Sequence, residues 1–267
     1  MERRTTPFAK MYLIAIFIIL YAPIFFLIFY SFNSGGTMSH FKGFTLDWYR
    51  SLLDDKRLLI IVLNTFAIAL ISALIATIVG VFGALAIYSF KKRQTKNTVL
   101  SLNNILIVSP DVIMGASFLI LFTIAGIHLG FMSVLLSHIA FSIPIVVLLV
   151  LPKLNEMQPS LIDAAKDLGA TEWQVLTRVI FPYITPGIFA GFFMALTYSL
   201  DDFAVTFFVT GNGFSTLSVE IYSLARRGIS LNINALSTVL FLFTMILIVI
   251  YYFLQQRSHV KTMGVRK

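Results

Sequence analysis

The chain has 267 residues, 58% of them hydrophobic and 12% charged, with 26 Phe, a formal net charge of +8 and a mean hydropathy of +0.90. A water-soluble fold could not cover that much apolar surface with so few polar side chains, so the bilayer is the solvent. Cysteine is absent, which excludes disulfides, thiolate metal sites and cysteine nucleophiles, and the basic excess is arranged by topology and gives no sign of a nucleic-acid partner.

Crossing a hydrocarbon core of about 30 Å takes about 20 helical residues. Six apolar stretches meet that length, near 11–32, 61–90, 99–127, 131–151, 186–210 and 236–256, and predict an all-α polytopic membrane protein with six transmembrane helices. The first stretch follows Arg3, Arg4 and Lys10 and so imitates a signal peptide. Its apolar run is long, however, and no small-residue cleavage site follows, which makes it a retained anchor. The loop at 33–60, with Gly35-Gly36 and Asp54-Asp55-Lys56-Arg57, reads as a short solvated cap. The stretch at 61–90 exceeds the bilayer thickness and should tilt or project, with Gly80 and Gly83 allowing close helix approach.

The third stretch contains Ser109-Pro110-Asp111, where proline removes a backbone donor and breaks the helix beside a carboxylate. Counting about 1.5 Å per residue from Val99 puts Asp111 near mid-membrane. It either faces a substrate pathway or satisfies the donors that Pro110 frees. Asn64, Asn103 and Asn104 read as helix–helix hydrogen-bonding groups, and His128 and His138, lacking metal-ligand spacing, as structural or interfacial.

Between the fourth and fifth stretches lies a polar segment, 152–182. Ser160-Leu161-Ile162-Asp163 predicts a capping box opening a short helix that Gly169 closes. Thr171-Glu172-Trp173-Gln174 predicts a second box, opening a helix that runs toward Ile180 and stops before Pro182. The fifth stretch carries Tyr198-Ser199-Leu200-Asp201-Asp202-Phe203-Ala204-Val205-Thr206. The two aspartates, about 100° apart on a helix, cannot both point squarely at one pore. Either one could instead cap a broken helix or bond to a neighbouring helix. Arg226 and Arg227 are expected in an outer loop, solvated or facing an acidic docking surface.

With both termini inside, the inner segments carry Arg3, Arg4, Lys10, Lys91, Lys92, Arg93, Lys96, Lys153, Lys166, Arg178, Arg257, Lys261, Arg266 and Lys267. The outer ones carry Lys42, Arg50, Lys56, Arg57, Arg226 and Arg227. The positive-inside rule therefore puts both termini, and segment 152–182, in the cytoplasm. No phosphate-cradling G-x-x-x-x-G-K-[ST], H-E-x-x-H or G-x-S-x-G sequence is present, so no enzyme activity, catalytic residue, cofactor or metal site is expected.

Asp163-Ala164-Ala165, three residues, Gly169, nine residues and Val179-Ile180-Phe181-Pro182 resemble the EAA loop of binding-protein-dependent ABC import permeases, with Asp163, Val179 and Phe181 in place of the usual Glu, Ile and Leu. The Ser-Pro-Asp break, the Ser-Leu-Asp-Asp-Phe run followed by Phe208-Val209-Thr210-Gly211, and the stretch from Tyr30-Ser31-Phe32-Asn33 to the tail are similar to the C-type permeases of spermidine/putrescine ABC importers. The resemblance implies a type I ABC importer permease fold, one permease domain over 1–267, and a coupling loop at 152–182 acting through Asp163, Ala164, Ala165, Gly169 and Pro182. It also implies alternating access in a bacterial inner membrane with a homologous B-type permease, two copies of a cytoplasmic ATPase and an extracytoplasmic polyamine-binding protein.

Polyamines are ammonium groups on methylene spacers. Asp111, Asp201 and Asp202 offer carboxylates, Tyr198, Ser199 and Thr206 offer oxygens, and Phe203 or Phe207 a cation–π face worth about 0.5–2 kcal/mol. Other importer substrates, such as ferric iron or phosphonate, and a proton-coupled secondary transporter using the same aspartates, are the alternative readings.

Overall fold

A computed structural model describes residues 7–226, 231–242 and 245–246. Two compact units are distinguished, Met1–Leu59 with Ile221–Lys267, and Ile60–Glu220.

In the first unit, α1 (Pro7–Tyr30) is an apolar helix whose spanning window has no buried residue, a surface suited to lipid. The loop after it is more ordered than the solvated cap expected. Asn33, fully buried, accepts from the backbone N–H groups of Gly35 and Lys42 through Oδ1 and donates to the Thr37 and His40 carbonyls through Nδ2. One amide thereby satisfies four backbone groups, and the Trp48 indole donates to the Asn33 carbonyl. The loop leads into α2 (Asp47–Asp54), an amphipathic helix that polar composition around Asp54-Asp55 had masked.

Asp55 then accepts from the Leu58 N–H and opens α3 (Lys56–Ser89), the long helix expected at 61–90, which runs on into the second unit. The first unit also holds most of α11 (Leu217–Arg226) and α12 (Leu231–Leu242). Arg226 ends α11 as an exposed helical residue and is not in a loop, because the apolar pattern of 217–225 carries the helix that far. Arg227 and most of the sixth predicted span lie outside the described residues.

The second unit is built around α6 (Phe131–Glu156), 61% of whose spanning window is buried. Small residues let its neighbours approach. A Cβ on Gly80 of α3 would lie 2.6 Å from the Val146 Cβ, and one on Gly191 of α9 would lie 3.2 Å from the Val146 Cγ1, so Val146 is gripped from both sides. Ala69, Ala73, Ala76 and Ala84 continue the small stripe of α3, all fully buried. Packing of this kind is how helices associate where lipid removes the hydrophobic driving force.

The third expected span is not straight. α4 (Arg93–Val108) and α5 (Asp111–Ile124) meet at 104° across Ser109 and Pro110, both extended. Counting along one continuous helix therefore does not give the depth of Asp111, because the axis turns at the proline.

After α6 come α7 (Pro159–Asp167), α8 (Glu172–Val175), a π-helical turn over Leu176–Ile180, α9 (Phe181–Asp201) and α10 (Ala204–Val209). Two expectations here are corrected. Helix α7 begins at Pro159 with Gln158 as its cap residue, so no capping box forms at Ser160; proline's fixed φ and absent N–H suit a first helical position. The second helix also passes through Pro182. The π turn, in which the Phe181 N–H bonds the Leu176 carbonyl, widens the ladder just before the proline, and Pro182 falls in the first turn of α9. Among the described residues, four helices are long and apolar enough to cross a membrane, and the bent α4–α5 pair makes a fifth candidate.

Candidate functional site

Asp111 occupies the first turn of α5, where the N-terminal end of the helix dipole favours a carboxylate. Its Oδ1 accepts a 2.9 Å hydrogen bond from the Tyr198 hydroxyl on α9, and both Asp111 and this bond are exposed. Tyr198 is held from behind by Phe141 of α6, edge to face at 5.0 Å. Asp201 lies three residues beyond Tyr198, on the same helical face and exposed. The Asp111–Tyr198 pair and the exposed Asp201, three residues further along α9, give the second unit accessible acidic and aromatic groups.

Asp202 is different. Helix α9 ends at Asp201, and Asp202 is extended, with φ −62° and ψ 122°. With φ still helical, Asp202 leaves the helix at the expected step of about 100° from Asp201, and its ψ turns the chain out of the helix after it. The Asp202 side chain is 5% exposed. Its Oδ1 accepts from the Val205 N–H at 3.3 Å, and its Oδ2 accepts from the Thr206 N–H at 2.8 Å and the Thr206 hydroxyl at 2.6 Å, satisfying the orphan donors that open α10. Thr206 is fully buried, with its hydroxyl committed. Phe203 lies in the break itself, half-buried, with its ring 5.5 Å from that of Phe207.

Two residues that position this break carried little sequence signal. Gly115 lets α10 cross α5, since a Cβ there would lie 2.6 Å from the Phe208 ring and 3.1 Å from the Ala204 carbonyl. His138, read as structural, is 1% exposed and hydrogen-bonded through both ring nitrogens to Ser199 and Thr206.

A second surface lies at 159–182. Helix α7 closes as the glycine predicts: Gly169 has φ +82°, its N–H bonds the Lys166 carbonyl, and the Ala170 N–H reaches back to Ala165. The Thr171–Gln174 capping box also forms, with the Thr171 N–H donating to Gln174 Oε1 and the Gln174 N–H to Thr171 Oγ1. Lys166 and Glu172 pair at 2.7 Å across the corner, and that hydrogen bond raises the Lys166 pKa above its ordinary value. Asp163, Ala164, Gly169 and Pro182 are exposed and Ala165 is half-buried. Leu168, 89% exposed, and Trp173, 69% exposed in the first turn of the helical run Glu172–Asp201, add apolar surface at the knuckle.

An all-helical polytopic chain with a bent third span, an interrupted fifth span and an exposed helical knuckle between spans has the architecture of a type I importer permease. The bacterial ABC transporter that imports alginate contains a chain of this fold, with a TM-score of 0.73, 18% identity and 94% of each chain covered. The inward-facing MetNI methionine ABC transporter gives 0.62 and 19% identity over 74% of this chain and 95% of that one. Residues 3–262 match the family described as binding-protein-dependent transport system inner membrane component, and the chain belongs to it. It is 38% identical over 238 residues to the spermidine/putrescine transport system permease protein PotC of Escherichia coli K12, covering 89% of this chain and 90% of the relative. Identity is 34% over 248 residues to PotC of Haemophilus influenzae, covering 93% and 96%. For the putrescine transport system permease protein PotI of Escherichia coli K12 it is 33% over 241 residues, covering 88% and 86%.

The chain is thus a multi-pass inner-membrane permease subunit of an ABC importer, which assembles with an ATPase and a binding protein. ATP hydrolysis belongs to the separate ATPase subunit.

Proposed function

We propose that this permease conducts polyamines, spermidine and putrescine, inward by alternating access. The observation that carries the reading is the exposed Asp111 bonded to Tyr198, with the exposed Asp201 three residues further along α9. Two acidic groups and an aromatic ring suit ammonium groups joined by methylenes, and the relatives' names point to the same substrates. Asp202 and Thr206 shape this surface by holding the break, and Phe203 contributes apolar area beside it. A substrate in transit must not fall into a deep well, which favours a few dispersed carboxylates over a closed cage.

The working assembly pairs this chain with a homologous B-type permease, two cytoplasmic ATPase copies and an extracytoplasmic polyamine-binding protein. The whole chain acts as one permease domain with both termini cytoplasmic. The knuckle at 159–182, within the coupling segment 152–182, takes up the ATPase's movement through Asp163, Ala164, Ala165, Gly169 and the apolar Leu168 and Trp173. The continuous helical run from Glu172 through Pro182 to Asp201 supports this, since a push on the knuckle is delivered along one element to the interrupted end of the fifth span.

The test is reconstitution of the four-component importer in vesicles with labelled spermidine and putrescine. Uptake should require ATP. D163K and G169W should leave insertion intact while uptake and substrate-stimulated ATP hydrolysis fall together. Uptake without ATP, or full coupling in both variants, refutes the reading.

A further inference from the structure

A buried chain of polar side chains links three spanning helices of the second unit behind the accessible carboxylates. His138 Nδ1 of α6 is 2.6 Å from Ser199 Oγ of α9, which is 3.1 Å from Ser72 Oγ of α3. His138 Nε2 is 2.8 Å from Thr206 Oγ1 of α10 and 3.5 Å from Asp202 Oδ2. Ser72, His138, Ser199 and Thr206 are each at most 3% exposed.

Hydrogen-bond bookkeeping fixes the direction at the Thr206 end of the chain. Three donors converge on the Asp202 carboxylate, one of them the Thr206 hydroxyl, which has spent its proton there. Thr206 Oγ1 can then only accept from His138, so Nε2 carries the proton. On the other side Nδ1 is paired with Ser199 Oγ, and Ser72 Oγ lies between Ser199 Oγ at 3.1 Å and the Ala69 carbonyl at 3.2 Å. Each imidazole nitrogen has one partner of the right kind. The Nε2–H side of the ring is tied to the break in the fifth span, and the Nδ1 side is tied to the scaffold of α3 and α9.

We propose that His138 is a positioning residue for transport, its Nε2–H holding Thr206 and Asp202 so that the chain stays interrupted at 202–203 and Asp201 stays presented on the accessible surface. Satisfied polar networks in a low-dielectric interior specify one arrangement, whereas an apolar residue of similar size would fill the space and leave α10 unfastened at this end. The link to Asp201 rests on the polyamine-pathway reading; the fastening of the break does not.

The two ends of the ring can be tested separately because Gln and Asn place an amide near different ring nitrogens. H138Q retains a donor where Nε2 was. H138N reaches only the Nδ1 position, toward Ser199. Hydrogen exchange of the backbone amides over 200–209 is measured in the assembled importer without substrate, alongside spermidine uptake. H138N and H138L should exchange about tenfold faster there than wild type, as expected for losing a hydrogen bond to a charge-bearing pair, while H138Q stays near wild type. T206V, which keeps the shape and removes the hydroxyl, should reproduce H138N even if H138L fails to assemble. Maximal uptake should fall with the exchange rate, at unchanged half-saturating spermidine.

Equal exchange in H138Q and H138N, or wild-type exchange in T206V, overturns the fastening. Altered exchange with wild-type uptake overturns its role in transport. A wild-type importer that takes up no spermidine would sink the substrate reading alone, because the exchange measurement needs no substrate.

Discussion

Consecutive aspartates share chemistry but not environment, and that difference separates stability from transport. Asp202 accepts three hydrogen bonds at the start of α10, two from backbone donors with no helical partner. D202N keeps one acceptor oxygen and loses the charge, so it should destabilise the purified complex by about 1–3 kcal/mol, read as a lowered midpoint in thermal unfolding. D201N, at an exposed position, should change stability by less than about 0.5 kcal/mol while lowering polyamine uptake. Y198F, which frees Asp111 from its 2.9 Å bond, belongs with D201N, affecting uptake and not the melting midpoint. If D201N and D202N lose stability equally, the division between the two carboxylates fails. The sequence displayed both acids, and the alternative that one of them caps a broken helix was legible there. Which one was not, because the answer depends on the helix ending at Asp201, and nothing at Asp202 or Phe203 has the steric signature that Pro110 gives the third span.

Elements in this chain are defined as much by their interruptions as by their lengths. Pro110 announces its break in sequence because a missing N–H and a ring clash are local properties. Pro182 announces a break that does not occur, since the neighbouring turn relaxes to π-helical geometry, and that relaxation depends on packing no local rule contains. Gly80 was legible as a packing residue, but its partner was not, because Val146 lies on a different helix far along the chain. The contact gives a sharp test. G80A puts a Cβ 2.6 Å from the Val146 Cβ and 3.2 Å from the Ile143 carbonyl, so α3 and α6 must separate, at a cost of about 1–3 kcal/mol. V146G, which removes the Val146 Cβ as well as its methyls, should alone destabilise by leaving a void and placing a glycine inside a helix. Combined, the two should recover part of the loss, giving a favourable coupling energy of about 0.5–2 kcal/mol in a double-mutant cycle of unfolding midpoints. Strict additivity would mean that the helices do not meet through this pair.

Topology and docking operate on the whole molecule, and the absence of cysteine makes both measurable, since any introduced thiol is the only one in the chain. The asymmetry of Lys and Arg predicts that segment 152–182 and both termini face the cytoplasm, while the loop between the first two spanning helices faces outward. Ser39 in that loop and Ser160 on the knuckle are both exposed, so neither S39C nor S160C requires a buried site to open. A membrane-impermeant maleimide applied to right-side-out vesicles should label S39C and spare S160C, with the pattern reversed in inside-out vesicles. In inside-out vesicles, adding the ATPase should then slow labelling of S160C, since docking on the knuckle would cover Leu161, Leu168 and Trp173, large apolar side chains that water otherwise touches. S39C labelling from outside should be indifferent to the ATPase. Labelling of S160C from the outer face would invert the topology and place the knuckle where no ATPase can reach it. Unchanged S160C labelling in the presence of bound ATPase would keep the topology but move the transmission of force to another inner segment, such as the basic connection Lys91–Arg93.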